Sequence, residues 1–531
     1  MRVRECFQDC SSELAGWLLE VPGDGVPRWM VAPGLTAGTG SGLQAGSFAP
    51  TDGRQDVVER RLTAPGIDFD RLRAELGLTA HFPPRVATEA AAVTDRCADE
   101  RTDRRDLELV TVDPPGSMDL DQALRVVREG GGYLVHYAIA DVAALVRPGG
   151  DLDEESRRRG ETIYFPDGNV PLHPRVLSEG AGSLLPDEDR PAVLWTVHVD
   201  ADGTVASAEV ERATVRSRAR LDYAGVSEAA ATGTAHPSIA ALPDFGATRE
   251  AWSLGRGAVL LDLPDQDVVP NRDPKHARAW TLRLAPRTPA DRWNAQVSLL
   301  VGMCAGTIMR KAGIGLFRTL PAAGPEAVDE LARVADSLGA VWPDGATPGQ
   351  FLAGLPADEP TTLALMSAGA RLMRGAGYRA IEPGTPVDDA DLVHAGVGGL
   401  YGHVTAPLRR LADRFATEVC LSVTAGRPVP DWVTESLPGL GKIMSGADST
   451  AGTAARRSID LAEAVVLSDQ LGARFEATVL RDGNGKKAAE IFIAEPAIIA
   501  PCEPSPGAGR RCLVEVTQAD PEAGTVGFAA L

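Results

Sequence analysis

The stretch VTVDPPGSMDLDQAL, residues 110–124, constrains the fold most, because an apolar β-type run ends directly in a turn that carries acidic residues. Asp113 closes the run, residues 114–117 turn the chain, and Asp119 and Asp121 follow two positions apart. Two positions in an extended chain place both side chains on one face. The pattern therefore predicts three carboxylates converging around one point, with the turn folding Asp113 back toward the other two.

Such a trio of carboxylates points to a divalent cation. Without one, the acidic groups repel each other and raise each other's pKa values. Carboxylate oxygens suit Mg²⁺, which leaves coordination positions for water and phosphate oxygens. Two such ions about 4 Å apart activate a water molecule and stabilise the leaving oxygen of a phosphodiester. The alternative is that Asp113 only initiates a turn, where Asp is favoured, while Asp119 and Asp121 face solvent.

The net charge limits the partners of such a site. The 531 residues carry 53 Lys and Arg against 73 Asp and Glu, a formal charge of −20. A field of this sign repels polyanions over a Debye length. Composition alone therefore argues against general coating of nucleic acid, and a nucleic-acid role requires a local basic channel or bound cations.

Other features of the composition indicate an ordinary globular protein, with 44% hydrophobic and 24% charged residues. The sequence has no uninterrupted apolar run of about 18 residues and no apolar signal core near its start. The seven cysteines are scattered, with no CxxC pair. We expect a cytoplasmic monomer without a membrane partner and without structural zinc.

Hydrophobic periodicity predicts an α+β fold of mixed sheets and helices, followed by a small OB-type β-barrel. A short helical pattern over 67–76 is followed by Pro83 and Pro84, which stop it. Short β runs separated by turns follow Gly472, and a purely structural barrel is as consistent with them as an RNA-binding one. The predicted strands lie at 107–112, 133–139, 193–199 and 210–215. The predicted division is a flexible segment at 1–60, a short helical lead-in at 61–106, a large mixed domain at 107–465 and the barrel at 466–531.

Five blocks in the same order make this sequence resemble the ribonuclease II family and its RNB catalytic domain. The resemblance covers roughly residues 107–465, and the terminal β segment resembles the RNA-binding OB module that this family carries. It implies a Mg²⁺-dependent, processive 3′-to-5′ exoribonuclease that hydrolyses single-stranded RNA to nucleoside 5′-monophosphates. The blocks are VTVDPPGSMDLDQAL (110–124), HYAIADVAALV (136–146), TIYFPDGNVPLHPRVLSEGAGSLLPDEDRPAVLW (162–195), ATVRSRARLDYAGV (213–226) and YGHVTAPLRRLADR (401–414).

The resemblance implies that Asp113, Asp119 and Asp121 are metal ligands, with Asp119 and Asp121 also serving catalysis. The family often carries a fourth Asp directly after the third, where this chain has Gln122. An amide orients a water or a phosphate but brings no charge, so we expect one metal ion to be held less tightly. One alternative is an RNA-binding protein that keeps the RNB fold but has lost turnover. Another is a metal-dependent phosphodiesterase acting on a small nucleotide.

Two adjacent arginines lie in the block at 401–414. The sequence there predicts a helix with Thr405 as its cap and Pro407 in its first turn. Arg409 and Arg410 would then lie in that turn, where free backbone N–H groups favour anions. The resemblance implies that Arg409 contacts the reacting phosphate, and Arg410 is either a further substrate contact or a structural residue of the helix surface. In isolation, an ion pair of Arg409 with Asp413 is the simpler interpretation.

The remaining candidate RNA contacts are one aromatic and three basic residues. Tyr164 matches a family aromatic that stacks on the 3′-terminal base, and a buried core tyrosine is the alternative. Arg216, Arg218 and Arg220 alternate along a predicted strand, so they would line one face and track phosphates in a channel. Otherwise they form a basic edge that protects a sheet.

Overall fold

The computed structural model describes residues 66–531 apart from 262, 264, 271–279, 286–287, 357–358 and 486. Before residue 66 it describes one antiparallel pair of short strands, β1 (Leu18–Glu20) and β2 (Arg28–Met30). The prediction that residues 1–60 are flexible otherwise falls outside the described residues. The described chain has the predicted α+β fold, with a mixed domain of sheets and helices and a barrel at the end.

Two short helices lead into the first part of the large domain. The Asp68 side chain accepts backbone hydrogen bonds from Asp70 and Arg71 and so begins α1. The prolines do not stop this helix as predicted, because it ends before Gly77 and Pro84 instead begins α2, where a missing N–H costs nothing. The helices of this part are α1 (Phe69–Glu75), α2 (Pro84–Ala91), α3 (Val142–Leu145) and α4 (Asp151–Arg159).

The strands of this part form a central six-stranded sheet in the order β3-β10-β4-β5-β6-β9, and β7 and β8 form a separate hairpin. Because β10 also pairs with β9, strands β10, β4, β5, β6 and β9 form a closed ring of paired strands. Side chains such as Val126, Tyr137 and Trp195 are buried in the core of this sheet. The strands are β3 (Thr102–Asp103), β4 (Leu109–Val112), β5 (Gln122–Glu129), β6 (Gly132–Ala140), β7 (Ile163–Phe165), β8 (Gly168–Val170), β9 (Asp189–Val199) and β10 (Val205–Leu221).

The middle of the chain is mostly helical and packs against this sheet. Its helices are α5 (Tyr223–Thr232), α6 (Leu242–Gly255), α7 (Pro289–Ala312), α8 (Pro325–Ser337), α9 (Pro348–Ala353), α10 (Pro360–Gly369), α11 (Leu411–Thr424), α12 (Asp431–Thr434) and α13 (Leu437–Leu467). The paired strands among them are β11 (Gln266–Pro270), β12 (Trp280–Leu284), β13 (Gly315–Thr319), β14 (Gly377–Ile381), β15 (Val393–His394) and β16 (Gly399–Leu400). Within the described residues, no helix combines the length and the apolar character needed to cross a bilayer.

Glycines on α7 allow the chain after β16 to lie directly on that helix. A Cβ atom at Gly302 would stand 2.1 Å from the ring of Tyr401, and one at Gly306 would stand 2.8 Å from the backbone of Leu400. The backbone N–H of Gly402 donates to the carbonyl of Gly302 at 3.0 Å. This close approach sets the path of the segment that leads to α11.

The last part of the chain is a closed five-stranded barrel, as the sequence predicted. The strand order is β17-β18-β19-β21-β20. Buried Glu463 on α13 ties the barrel to the large domain, because its Oε1 accepts from Gln266 Nε2 at 2.6 Å and from the backbone N–H of Ile499 at 3.0 Å. The strands are β17 (Arg474–Arg481), β18 (Ala489–Ile493), β19 (Ile498–Glu503), β20 (Arg511–Asp520) and β21 (Thr525–Ala530).

Candidate active site

The turn between β4 and β5 carries the three acidic residues, and neighbouring segments pin it on both sides. Ser183 Oγ donates to the carbonyl of Met118 at 2.6 Å and accepts from the N–H of Leu120 at 3.0 Å. At the end of the turn, the carbonyl of Asp121 accepts from the N–H of Ala140 on β6 at 2.9 Å. The turn is therefore anchored where β4 ends and β5 begins.

Asp121 is the best-defined acidic group of the site. Its carboxylate is buried, and Oδ1 accepts a hydrogen bond from the backbone N–H of Leu408 at 2.7 Å. Oδ2 lies 3.8 Å from Nε of Arg409. Burial raises the pKa of Asp121 well above its ordinary value, Arg409 and the Leu408 N–H oppose this rise, and the charge of Asp119 adds to it. Asp119 and Asp121 are thus electrostatic neighbours.

In the described part of the chain, no three His, Cys, Asp or Glu side chains form a ready-made metal-binding group. The Leu408 N–H binds Asp121 from the loop before α11. The convergence of Asp113, Asp119 and Asp121 on one cation stays a prediction. Asp113 stays near the site, since both it and Asp121 act on the pKa of Tyr137.

Gln122, the residue that departs from the family pattern, contacts the same loop as Asp121. Its Nε2 donates a hydrogen bond to the backbone carbonyl of Thr405. Gln122 is also the first residue of β5, where it pairs with Ile139 of β6. The amide therefore joins the carboxylate turn to the loop before α11, and its role toward a metal ion stays a prediction.

The helix predicted from Thr405 begins later than expected, at Leu411, so Arg409 and Arg410 precede it. Long-range backbone pairing causes the delay. The carbonyl of Arg409 accepts from the N–H of Thr162 at 2.9 Å, and the N–H of Leu411 donates to the carbonyl of Gly160 at 2.9 Å. The predicted cap at Thr405 is also wrong, because the buried Asp413 accepts the N–H of Ala406 at 2.6 Å instead.

The two adjacent arginines have different surroundings. Arg410 donates to both carboxylate oxygens of Asp413 at 3.1 Å, and its side chain is 11% exposed. Arg409 faces Asp121, and 25% of its side chain is exposed. The ion pair with Asp413 that the sequence suggested for Arg409 is therefore formed by Arg410. Arg409 has a partly exposed side chain beside the acidic turn.

Tyr164 lies close to the same backbone pairing. It is the middle residue of β7, half-buried, and pairs across the hairpin with Asn169 of β8. Thr162, two residues earlier, is the residue whose N–H donates to Arg409. The hairpin thus follows directly from the segment that holds Arg409 in place.

The three arginines of β10 do not form one continuous row. A register shift between Ser217 and Ala219, around Arg218, interrupts the two-residue alternation on which that prediction rested. Each guanidinium has its own partner. Arg216 pairs with Asp189 at 2.6 Å, Arg218 donates to the carbonyl of Arg105 at 2.5 Å, and Arg220 donates to the carbonyl of Ser117 at 3.0 Å. Of the three, Arg220 therefore adjoins the acidic turn.

Comparison with known families places these segments within one domain. The RNB domain family matches residues 101–420, more than half of the chain. The chain belongs to the ribonuclease II family of RNB-domain proteins. The RNase II-type exonuclease C-terminal S1 domain matches residues 473–531, which correspond to the five-stranded barrel. The RNB match contains the acidic turn, the β7–β8 hairpin, β10 and Arg409.

Similar proteins agree with this assignment. Ribonuclease R of Escherichia coli (strain K12) is 27% identical over 430 residues, which cover 75% of this chain and 51% of that protein. Exoribonuclease 2 of Vibrio vulnificus (strain YJ016) is 30% identical over 330 residues, which cover 59% and 48%. This RNB-family chain thus spans about half the length of these curated relatives. The structure of Mycoplasma genitalium RNase R in complex with ribose methylated single-stranded RNA shares the fold, with a TM-score of 0.77, 18% identity and coverage of 87% of this chain and 77% of that one.

Two buried acidic residues of this RNB domain lie next to Arg409 and Arg410, and the sequence pattern does not mark either as functional. It indicates Asp413 only as a surface partner for Arg409. Glu161 pairs through its backbone with Arg410, and burial, together with the charge of Asp448, raises the pKa of Glu161 to about 8. Glu161 directly precedes the TIYFPDG motif, but only the long-range pairing indicates its contact with the arginines.

Proposed function

We propose that this chain is a 3′-to-5′ exoribonuclease that hydrolyses single-stranded RNA to nucleoside 5′-monophosphates with the help of Mg²⁺. The observation that carries the proposal is the meeting of Asp121 with Leu408 and Arg409, which joins a buried carboxylate to a partly exposed arginine side chain. A nuclease needs both groups at the same phosphodiester. Membership of the ribonuclease II family supports this assignment.

Asp119 and Asp121, with Asp113 nearby, are the residues that would hold the metal. Their carboxylates are hard oxygen donors, and Mg²⁺ commonly uses one or two carboxylates together with water and substrate phosphate. A bound cation would offset the burial that raises the pKa of Asp121 and would favour its ionised form. When bound, Mg²⁺ supplies a water of lowered pKa and compensates the charge of the leaving oxygen.

The side chains around the acidic turn have separate tasks in this proposal. Arg409 binds a non-bridging oxygen of the scissile phosphate through a charge-assisted hydrogen bond. Tyr164 stacks on the 3′-terminal base, which makes binding tolerant of sequence. Arg220 contacts the RNA backbone beside the turn at Ser117. Gln122 and the Leu408 N–H orient the loop and Asp121, so that the Arg409 guanidinium stays aimed at the phosphate.

A gel assay with 5′-labelled single-stranded RNA tests the function. With Mg²⁺, we expect the label to move through progressively shorter products, and uniformly labelled RNA to yield nucleoside 5′-monophosphates. EDTA and the Asp121→Asn substitution should both abolish this release. A 3′-blocked RNA should resist degradation, whereas cleavage within its interior would contradict the exonuclease proposal.

A second candidate is an RNA-binding protein of the same fold with little turnover. Two observations favour it: the amide at position 122 brings no charge, and no three acidic groups in the described residues already form a metal-binding set. Tight RNA binding without mononucleotide release at high Mg²⁺ would support this alternative. A phosphodiesterase for small nucleotides would instead hydrolyse bis-p-nitrophenyl phosphate as readily as RNA, with no dependence on RNA length.

A further inference from the structure

A cavity of about 290 Å³ lies beside the second half of α11, away from Arg409, which precedes that helix. Its volume is at the lower end of the range of about 300–1,000 Å³ typical of small-molecule sites. Three of its lining side chains are arginines, two are carboxylates, and one is a large aromatic. These side chains are Arg96, Arg212, Arg427, Glu100, Glu418 and Trp432.

Buried Arg212 is held firmly by the protein. Its Nε donates to Oδ2 of Asp141 at 3.1 Å, and its Nη2 donates to Glu418 of α11. Asp141 also accepts from Nη2 of Arg101 at 2.8 Å and from the N–H of Ala144 at 3.2 Å. The guanidinium is therefore oriented by two buried carboxylates, which leave its Nη1 directed toward Glu100.

Glu100 lies near the surface of this charge cluster. It ends a short 3-10 turn, and 44% of its side chain is exposed. Its Oε2 accepts from Nη1 of Arg427 at 3.0 Å and lies 3.7 Å from Nη1 of Arg212. A single carboxylate oxygen thus bridges two guanidinium groups, one buried and one 52% exposed. An incoming anion with several oxygens would make the same two contacts with better geometry.

The cavity also has apolar lining residues. They are Pro428, Pro430 and Trp432. The Trp432 ring is supported by Phe415 of α11, with ring centroids 5.2 Å apart. Aromatic rings of this kind bind planar groups by stacking and edge contacts.

We propose that this cavity is a binding site for a nucleoside phosphate. The phosphate replaces the Glu100 carboxylate between Arg212 and Arg427, and the base lies against the Trp432 ring. Arg96 also lines the cavity, where its Nη1 donates to the carbonyls of Ala143 and Val146. The site is distinct from the acidic turn and does not depend on the proposed nuclease activity. A negative outcome in one site is therefore separable from a negative outcome in the other.

Calorimetric titration of the full chain with AMP, in EDTA to suppress turnover, tests the proposal. Arg427→Gln should weaken AMP binding by about 10- to 100-fold, the usual loss for a charge-assisted hydrogen bond. Glu100→Gln should tighten it several-fold, because the competing carboxylate is removed. Both side chains are substantially exposed, so both variants are expected to fold. Circular dichroism and thermal melting verify this.

The matched control is Glu330→Gln. Glu330 also bridges two arginines, Arg333 at 2.6 Å and Arg371 at 3.3 Å, but it does not line the cavity. This variant should bind AMP as the wild type does. Arg409→Ala should retain the AMP binding that depends on Arg427, and complete loss of AMP binding in that variant would assign AMP to the acidic turn and overturn the proposal.

Ligand fragments separate the two halves of the site. AMP should bind more tightly than either inorganic phosphate or adenosine. Trp432→Phe should weaken AMP while leaving phosphate unchanged. Equal affinity for AMP and phosphate would contradict the nucleoside part of the proposal. If neither Arg427→Gln nor Glu100→Gln changes the affinity for AMP, AMP does not bind in this cavity.

Discussion

The backbone N–H of Leu408 donates a 2.7 Å hydrogen bond to Oδ1 of Asp121. This bond joins the turn after β4 to the loop before α11, two segments far apart in the sequence. It also brings the guanidinium of the next residue, Arg409, to 3.8 Å from the other carboxylate oxygen. The catalytic proposal therefore depends on one backbone contact that holds an acidic and a basic group together.

Asp121→Asn should separate catalysis from folding. The amide oxygen still accepts the Leu408 N–H, so we expect a melting temperature close to that of the wild type. The lost charge removes a metal ligand, and single-turnover RNA cleavage should fall by about 100-fold or more, the scale on which metal-assisted hydrolysis depends on its ligands. A variant that cleaves at the wild-type rate would contradict the assignment of Asp121.

The neighbouring arginines should respond differently to truncation. Arg410→Ala leaves the fully buried Asp413 without this ion pair, and we expect a loss of about 3–5 kcal/mol in the free energy of unfolding, measured with urea. Arg409→Ala should change stability little and slow RNA cleavage strongly. Arg175→Ala, which removes an exposed arginine paired with Glu179, controls for the loss of one positive charge. Equal effects of the two neighbouring variants on stability would show that their surroundings do not distinguish them.

Gln122→Asp should lower the Mg²⁺ concentration needed for half-maximal cleavage, because it adds a charge beside the acidic turn. The substitution also removes the donor to the Thr405 carbonyl, so some stability should be lost. Gln122→Ala is the matched control, since it removes the same hydrogen bond without adding a carboxylate. Identical half-saturation points for the wild type and Gln122→Asp would reject the idea that the amide weakens metal binding.

The link between the barrel and α13 should make stability depend on pH. Burial raises the pKa of Glu463 from 4.5 to about 8, although Gln266 and the Ile499 N–H lower it in part. The folded state therefore keeps a proton that the unfolded chain releases near pH 4.5. The resulting stabilisation is complete below that pH and is lost as the pH rises through about 8.

Urea unfolding between pH 6 and 9 measures this loss. Glu463→Gln stays neutral and can still accept both hydrogen bonds, so its stability should fall less steeply over that range. Glu522→Gln, in an exposed turn of the barrel, should retain the wild-type slope. If the free energy of unfolding falls equally with pH in all three proteins, Glu463 is not the cause of the pH dependence.

Local patterns in the sequence predicted much of the fold. Alternating apolar residues identified β6 and β9, and short β runs with turn residues identified the closing barrel. These signals work because side-chain periodicity reflects burial within each element. The acidic turn was found in the same way, since its residues are adjacent in the chain.

The details around Arg409 could not be predicted locally, because they come from partners elsewhere in the chain. Thr405 and Pro407 have good residue types for a helix start, but pairing with Gly160 and Thr162 keeps the backbone non-helical until Leu411. The bulge at Arg218 likewise depends on how β10 pairs with β4, which no local pattern reports.

The backbone around Arg409 also depends on the glycines of α7. A methyl group at Gly302 would overlap the ring of Tyr401, and the chain runs from that ring to Arg409 in eight residues. The surface of α7 thus fixes the path of the loop that carries the Arg409 guanidinium. Adding one carbon atom at Gly302 should slow RNA hydrolysis, although this position contacts neither the acidic turn nor Arg409.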